Sequence, residues 1–189
     1  MEIGKLLKYT LIAAILIVIA FILIVVGVAS PGWVYFNSIN SGIKLQDYDL
    51  AYSNYNGKDT SDSSARQAAY ALCVISTLGA ATALTAVSID VLLQLLNKMN
   101  ETTTKILPLV TLIAANVGGG FGIIGSIIHV AWYASKFSNT SSISTVYYSL
   151  SYGYIPGYSF FLTIIGSIIL IAGGGLAKKA SKGGHIGGV

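Results

Sequence analysis

The chain has 189 residues, of which 54% are hydrophobic and only 10% charged, with a mean hydropathy of +0.73. A soluble domain carries about 25% charged residues, so this composition excludes water as the solvent for most of the chain. The formal charge of +4 needs no nucleic acid to explain it, and a single cysteine, Cys73, excludes an intramolecular disulfide and a cysteine-based metal cluster.

Four apolar runs, about 8–30, 68–93, 106–132 and 157–177, are each long enough to cross a hydrocarbon core about 30 Å thick. They predict one four-span membrane domain over residues 1–189. The expected fold is a left-handed four-helix transmembrane bundle, with extracellular segments 31–66 and 133–156 forming a small antiparallel β-sheet. The first run is followed by no small-residue cleavage site, so it reads as a retained helix and not a removed signal. Ile, Val and Leu all round it predict a helix facing lipid or packed by shape alone. Pro31 and Gly32 end it, and Trp33 is expected at headgroup level.

Within the first outer segment, Trp33-Val34-Tyr35-Phe36 is a run of β-formers, and Ile43 and Leu45 alternate with Lys44 and Gln46. The alternation slips by one at Gln46-Asp47 and resumes as Tyr48, Leu50 and Tyr52, which suits a bulge or a short turn. Residues 54–64 read as loop. The second outer segment alternates Val146, Tyr148, Leu150, Tyr152 and Tyr154 with small or polar residues, apart from Tyr147, and reads as a strand. Ten of the twelve tyrosines lie in or beside these two segments. Two readings follow: a sheet resting on the bundle, or an interfacial aromatic belt. On the first, Trp33, Tyr35, Tyr48, Tyr52, Trp132, Tyr148, Tyr152 and Tyr154 are candidate extracellular contacts.

The second run places Ala69, Cys73, Thr77, Ala81 and Thr85 at i+4 steps, a flat stripe of small side chains. The third places Ala114, Gly118, Gly122 and Ser126 in the same way. Glycines this dense make a poor helix in water, at about 1 kcal/mol each relative to Ala. In lipid the backbone must satisfy itself, and small residues let helices approach closely, so the two stripes are expected to meet. The third run also contains Gly120-x-Gly122-x-x-Gly125. That spacing signals a dinucleotide site only between a strand and a soluble helix, so packing is the reading taken. Pro108 is expected in the first turn, where its missing donor is harmless. The fourth run carries Ser159, Thr163 and Ser167 on one face, with Gly166 beside it and Gly173, Gly174 and Gly175 near its end.

Lysines set the orientation. Lys5, Lys8, Lys98, Lys105, Lys178, Lys179 and Lys182 flank one side of the runs, and short lysine-rich segments stay in the cytoplasm, so both termini are expected inside the cell membrane. The sequon at Asn139 then falls outside and the one at Asn100 inside.

Pro31-Gly32-Trp33 stands where claudins carry Pro-x-Trp. The segment Ala65-Arg66-Gln67-Ala68-Ala69-Tyr70-Ala71-Leu72 is similar to their Gln-Ala-Ala-Arg-Ala-Leu. Ala131-Trp132-Tyr133-Ala134 is similar to Ser-Trp-Tyr-Ala, and Tyr152-Gly153, Tyr158 and Gly173-Gly174 to the Leu-Gly…Tyr…Gly-Gly of the last helix. In order and spacing the chain resembles the claudin and peripheral myelin protein superfamily of tetraspan proteins over most of its length. The departures are the missing Gly-Leu-Trp, replaced by Ser41-Gly42-Ile43, and the absence of both cysteines from the first outer segment. The resemblance implies architecture; the stapled sheet and its pore charges do not carry over.

Titratable groups are few. Asp90, Asn116 and His129 are the candidate intramembrane polar residues. Asp90, Gln94 and Asn97 are expected to share a polar face running past the membrane towards Lys98, Lys105 or Lys178. Asn116 is expected to bond a neighbouring helix near Thr77 or Ser167. His129 is expected at the interface, bonded to water or the outer sheet. These residues predict no enzyme, cofactor, metal or small-molecule substrate. The expected role is claudin-like assembly, lateral or face to face, as an adhesion, barrier or accessory protein among lipids, as a homo-oligomer or within a larger membrane assembly. The alternatives are an ion- or proton-transport or energy-transducing subunit using Asp90, Asn116 or His129, and an enzyme subunit whose cofactor sits in a partner.

Overall fold

The computed structural model describes residues 3–30, 32–38, 46–48, 54–55, 58–59, 64–138 and 152–183, with side chains over 7–30, 32–33, 64–132 and 156–181. Four helices form a bundle: α1 (Ile3–Ala29), α2 (Ser64–Leu95), α3 (Glu101–Ser138) and α4 (Tyr158–Gly183). Each contains a stretch long and apolar enough to cross a membrane. Their outward faces carry bulky apolar side chains such as Ile15, Ile22, Leu78, Ile113, Ile127, Phe161 and Ile168, all exposed. A water-soluble protein rarely exposes an apolar surface so extensive. The composition is therefore matched by the surface it produces.

The helices follow one another around a ring, α1–α2–α3–α4, with α4 returning to α1 and α2 hardly touching α4 across the diagonal. Besides Arg66 and Ala86, the buried residues of α2 are Ala69, Cys73, Ser76, Ala80, Ala83, Val87, Asp90 and Gln94. The steps between these eight alternate four and three, an average of about 3.5 residues, the repeat that left-handed supercoiling keeps facing a partner. The i+4 stripe expected on α2 follows that face only at Ala69 and Cys73. Thr77 and Ala81 are half-buried, and Thr85 faces out, because each i+4 step overshoots a turn of about 3.6 residues. On α1 the same alternation buries Thr10, Ala13, Ile17, Ala20, Ile24 and Gly27. The first helix therefore has an inner face of its own.

A close turn joins α2 to α3. Asn97 takes the left-handed conformation, with φ 53°, which short polar side chains tolerate better than most. Around it Lys98 N donates to Leu93 O at 3.0 Å and Asn97 N to Gln94 O at 3.2 Å, the paired bonds that close a helix C-terminus. Asn100 then caps α3: its Oδ1 accepts from Thr103 N at 2.7 Å, and Thr103 Oγ1 accepts from Asn100 N at 3.0 Å. The helix thus begins at Glu101 and Pro108 lies inside it, two turns in, not in the first turn as expected.

Between the helices the described backbone holds five short strands: β1 (Val34–Ser38), β2 (Gln46–Tyr48), β3 (Asn54–Tyr55), β4 (Lys58–Asp59) and β5 (Tyr152–Pro156). β1 pairs antiparallel with β2, Tyr35 opposite Asp47, and with β5, Phe36 opposite Tyr154. β3 pairs with β4 inside the stretch read from sequence as loop. Tyr52, Tyr148 and Asn139 lie outside the described residues.

Candidate functional site

Three of the four helix contacts are closed by glycine. Between α2 and α3 the backbones themselves meet. A Cβ built on Gly79 would lie 2.6 Å from Gly118 Cα, and one on Gly118 would lie 3.1 Å from Gly79 Cα. Further along, a Cβ on Gly125 would stand 3.0 Å from both Ala69 O and Cys73 Sγ. Cys73 Sγ and the Ser126 hydroxyl face each other across this seam within hydrogen-bonding reach. Ser126 donates its own proton to Gly122 O at 2.7 Å. Ser76 of α2 and Ser167 of α4 both converge on Gly122. Gly79, absent from the expected stripe, is the centre of the seam; a lone glycine among alanines and threonines gave little signal until its partner was placed.

Between α1 and α4 the chemistry is different. Bulky side chains of α1 enter notches on α4: Ile24 against Gly166 and Ile17 against Gly173. Between α3 and α4, Ile171 sits against Gly119 and Ala115 against Gly174. The fourth contact, α1 with α2, opens instead into an outward-facing apolar groove of about 390 Å³, lined by Leu11, Ile15 and Val18 on one wall and Ser88, Val91 and Leu92 on the other.

Two polar clusters close the ends of the bundle. At one end Gly32, with φ 92°, turns the chain so that Trp33 falls back among the helices. Gly157 N donates to Trp33 O at 2.9 Å, and Ser159 Oγ to Ser30 O at 3.3 Å, stitching the end of α1 to the start of α4. The Trp33 ring is 0% exposed and meets His129 of α3 edge-on, ring centres 5.3 Å apart. Arg66, buried at the start of α2, is near enough for its charge to be felt at the imidazole. Two expectations fail here. Trp33 is not a surface contact, and His129, also 0% exposed, is an interior residue with no water-facing surface. An edge-on contact with Trp33 holds it there, and nothing in the sequence marked that pair. Trp132 is half-buried. Tyr35, Tyr48, Tyr152 and Tyr154 lie on β1, β2 and β5.

The other end, beside the α2–α3 turn, gathers all four helices. Gln94 Nε2 donates to Asp90 Oδ1 at 3.1 Å and to Thr10 Oγ1 of α1 at 3.2 Å. Asp90 is 2% and Gln94 7% exposed. Pro108 has no N–H to give to Thr104 O four residues back, and that carbonyl accepts instead from Ser181 Oγ of α4 at 3.0 Å. Together with Met99 these residues line a void of about 10 Å³. The expected face running from Asp90 through Asn97 to the lysines is therefore not formed. Asn97 is exposed in the turn, and Lys105 pairs with Glu101 at 2.6 Å. Asn116 also departs from expectation: it is exposed on α3, and its Nδ2 donates to Leu112 O of its own helix at 2.8 Å. No group of three or more His, Cys, Asp or Glu stands close enough to hold a metal ion among the described residues.

Compared with known proteins, the chain matches no protein-family model and no curated protein sequence.

Proposed function

We propose that this is a non-enzymatic integral membrane protein that works by assembly, laterally or face to face, as an adhesion, barrier or accessory component of a membrane complex. The observation that carries the reading is the backbone contact at Gly79 and Gly118. It closes α2 against α3, and the interior of the bundle is filled by side chains such as Ala80, Ala83, Ala115 and Leu170, which have no exposure. Small residues at such contacts are how helices associate where lipid removes the hydrophobic drive. The Trp33 end faces outward, carrying a small antiparallel sheet, and both termini are cytoplasmic; the lysine distribution supports this. Tyrosines of the outer segments supply the contact area, since large rings give it at low entropic cost. Claudin-like architecture is part of the proposal, on the motifs named above and without the cysteine staple.

The test is reconstitution. Extracted in mild detergent, the protein is expected to migrate above the mass of its own 19.8 kDa chain with detergent subtracted, and in liposomes to add no ion flux over protein-free vesicles. A single-chain species with flux abolished by Asp90→Asn or His129→Gln would replace this reading with transport.

A further inference from the structure

We infer that the polar cluster beside the α2–α3 turn is a binding site for one small monovalent cation, sodium being the fitting ion, which locks the four helices together. The donors are all oxygens: the Asp90 carboxylate, Gln94 Oε1, Thr10 Oγ1, Ser181 Oγ and the Thr104 carbonyl that Pro108 leaves outside the helical ladder. Oxygen-only sets of carboxylate, carbonyl and hydroxyl select hard cations.

Two further observations point to a ligand. Gln94 is nine-tenths buried, its amide nitrogen satisfied twice, yet Oε1 is buried with no hydrogen-bond partner among the described residues. A buried acceptor left so is destabilising, and a cation on it removes that cost. Asp90 is 2% exposed and has no ion-pair partner among the described residues. One carboxylate calls for one positive charge; a divalent ion would leave a buried excess. The void of about 10 Å³ lies at the lower bound for a water, about 10–15 Å³, so a dehydrated ion smaller than water fits better than a larger one such as potassium. Because α1, α2, α3 and α4 each contribute a donor, the ion would bind the folded bundle and not the separated helices, and would stabilise it by mass action.

The experiment is thermal unfolding of the purified full chain in detergent, titrated with sodium chloride against choline chloride at constant ionic strength. A saturable rise of several degrees is expected with sodium and a smaller one with potassium. In Asp90→Asn the sodium-dependent rise should vanish. Should that variant fail to fold, Gln94→Leu and Thr10→Val keep the carboxylate and should raise the half-saturating sodium concentration at least tenfold. Equal unfolding temperatures in sodium and choline would overturn the site. So would a sodium effect that survives Asp90→Asn, or one left unmoved by Gln94→Leu and Thr10→Val.

Discussion

The seam between α2 and α3 and the interface between α1 and α2 are built from the same solvent logic with opposite outcomes. In the first, Gly79 and Gly118 remove side chains altogether and the backbones touch. In the second, Leu11, Ile15 and Val18 confront Val91 and Leu92, and the helices stand apart over a groove that opens outward. Lipid is as apolar as leucine, so bulky side chains gain little by meeting each other rather than acyl chains. Close packing in this solvent comes from shape. What separates the closed side of the bundle from the open one is the size of the residues, not their hydrophobicity.

Adding volume to each side breaks the comparison or sharpens it. Gly118→Leu carries a branched side chain into the backbone of Gly79 and Ala80 and should abolish the monodisperse folded species in size-exclusion chromatography. The counterpart Ser88→Leu, at the exposed groove, should run as wild type. Gly79→Ala sets one methyl group against Gly118 Cα and should cost about 1–3 kcal/mol, the usual range for overpacking, read as a lower unfolding temperature in detergent. Ser76→Ala removes a buried hydroxyl that has no hydrogen-bond partner among the described residues and should leave stability unchanged or raise it by up to about 1 kcal/mol. Gly120→Ala meets nothing within 4 Å and should change stability least, in the favourable direction, by no more than about 1 kcal/mol. If Gly120→Ala proved as damaging as Gly79→Ala, helix flexibility and not contact would be the reason for glycine in α3.

The four spans were legible because charge-free runs of this length have few other uses. The closeness of α2 and α3 was legible too, from Gly118, Gly122 and Ser126. The face of α2 was not, since counting in fours drifts off a helix whose buried positions step four and three; Ser76 and Ala80 were missed for that reason, and Thr85 wrongly included. The bulky composition of α1 hid its inner line at Ile17 and Ile24, whose partners are glycines more than a hundred residues away in sequence. Asn116 and His129 show the limit of reading single polar residues. The first turned out to bond its own helix, the second to lie under Trp33, and only the rotation of each helix decides between such outcomes. The Asp90 cluster needed Thr10, Thr104 and Ser181 from three other helices before it became a site. Pro108 was visible in the sequence, but the carbonyl it releases acquires meaning only beside α4.

Thiol accessibility tests the closed seam most directly. In a Cys73→Ser background, the near-isosteric Ser76→Cys, Ser126→Cys and Ser167→Cys variants would be reconstituted and treated with a small, water-soluble, membrane-impermeant reagent, with Lys98→Cys as the exposed reference. Rapid modification of position 98 and none at 76, 126 or 167 is the predicted pattern. Labelling of those three interior positions at rates near that of position 98 would mean that water runs between the helices, and a bundle held shut by backbone contact could not be the right description.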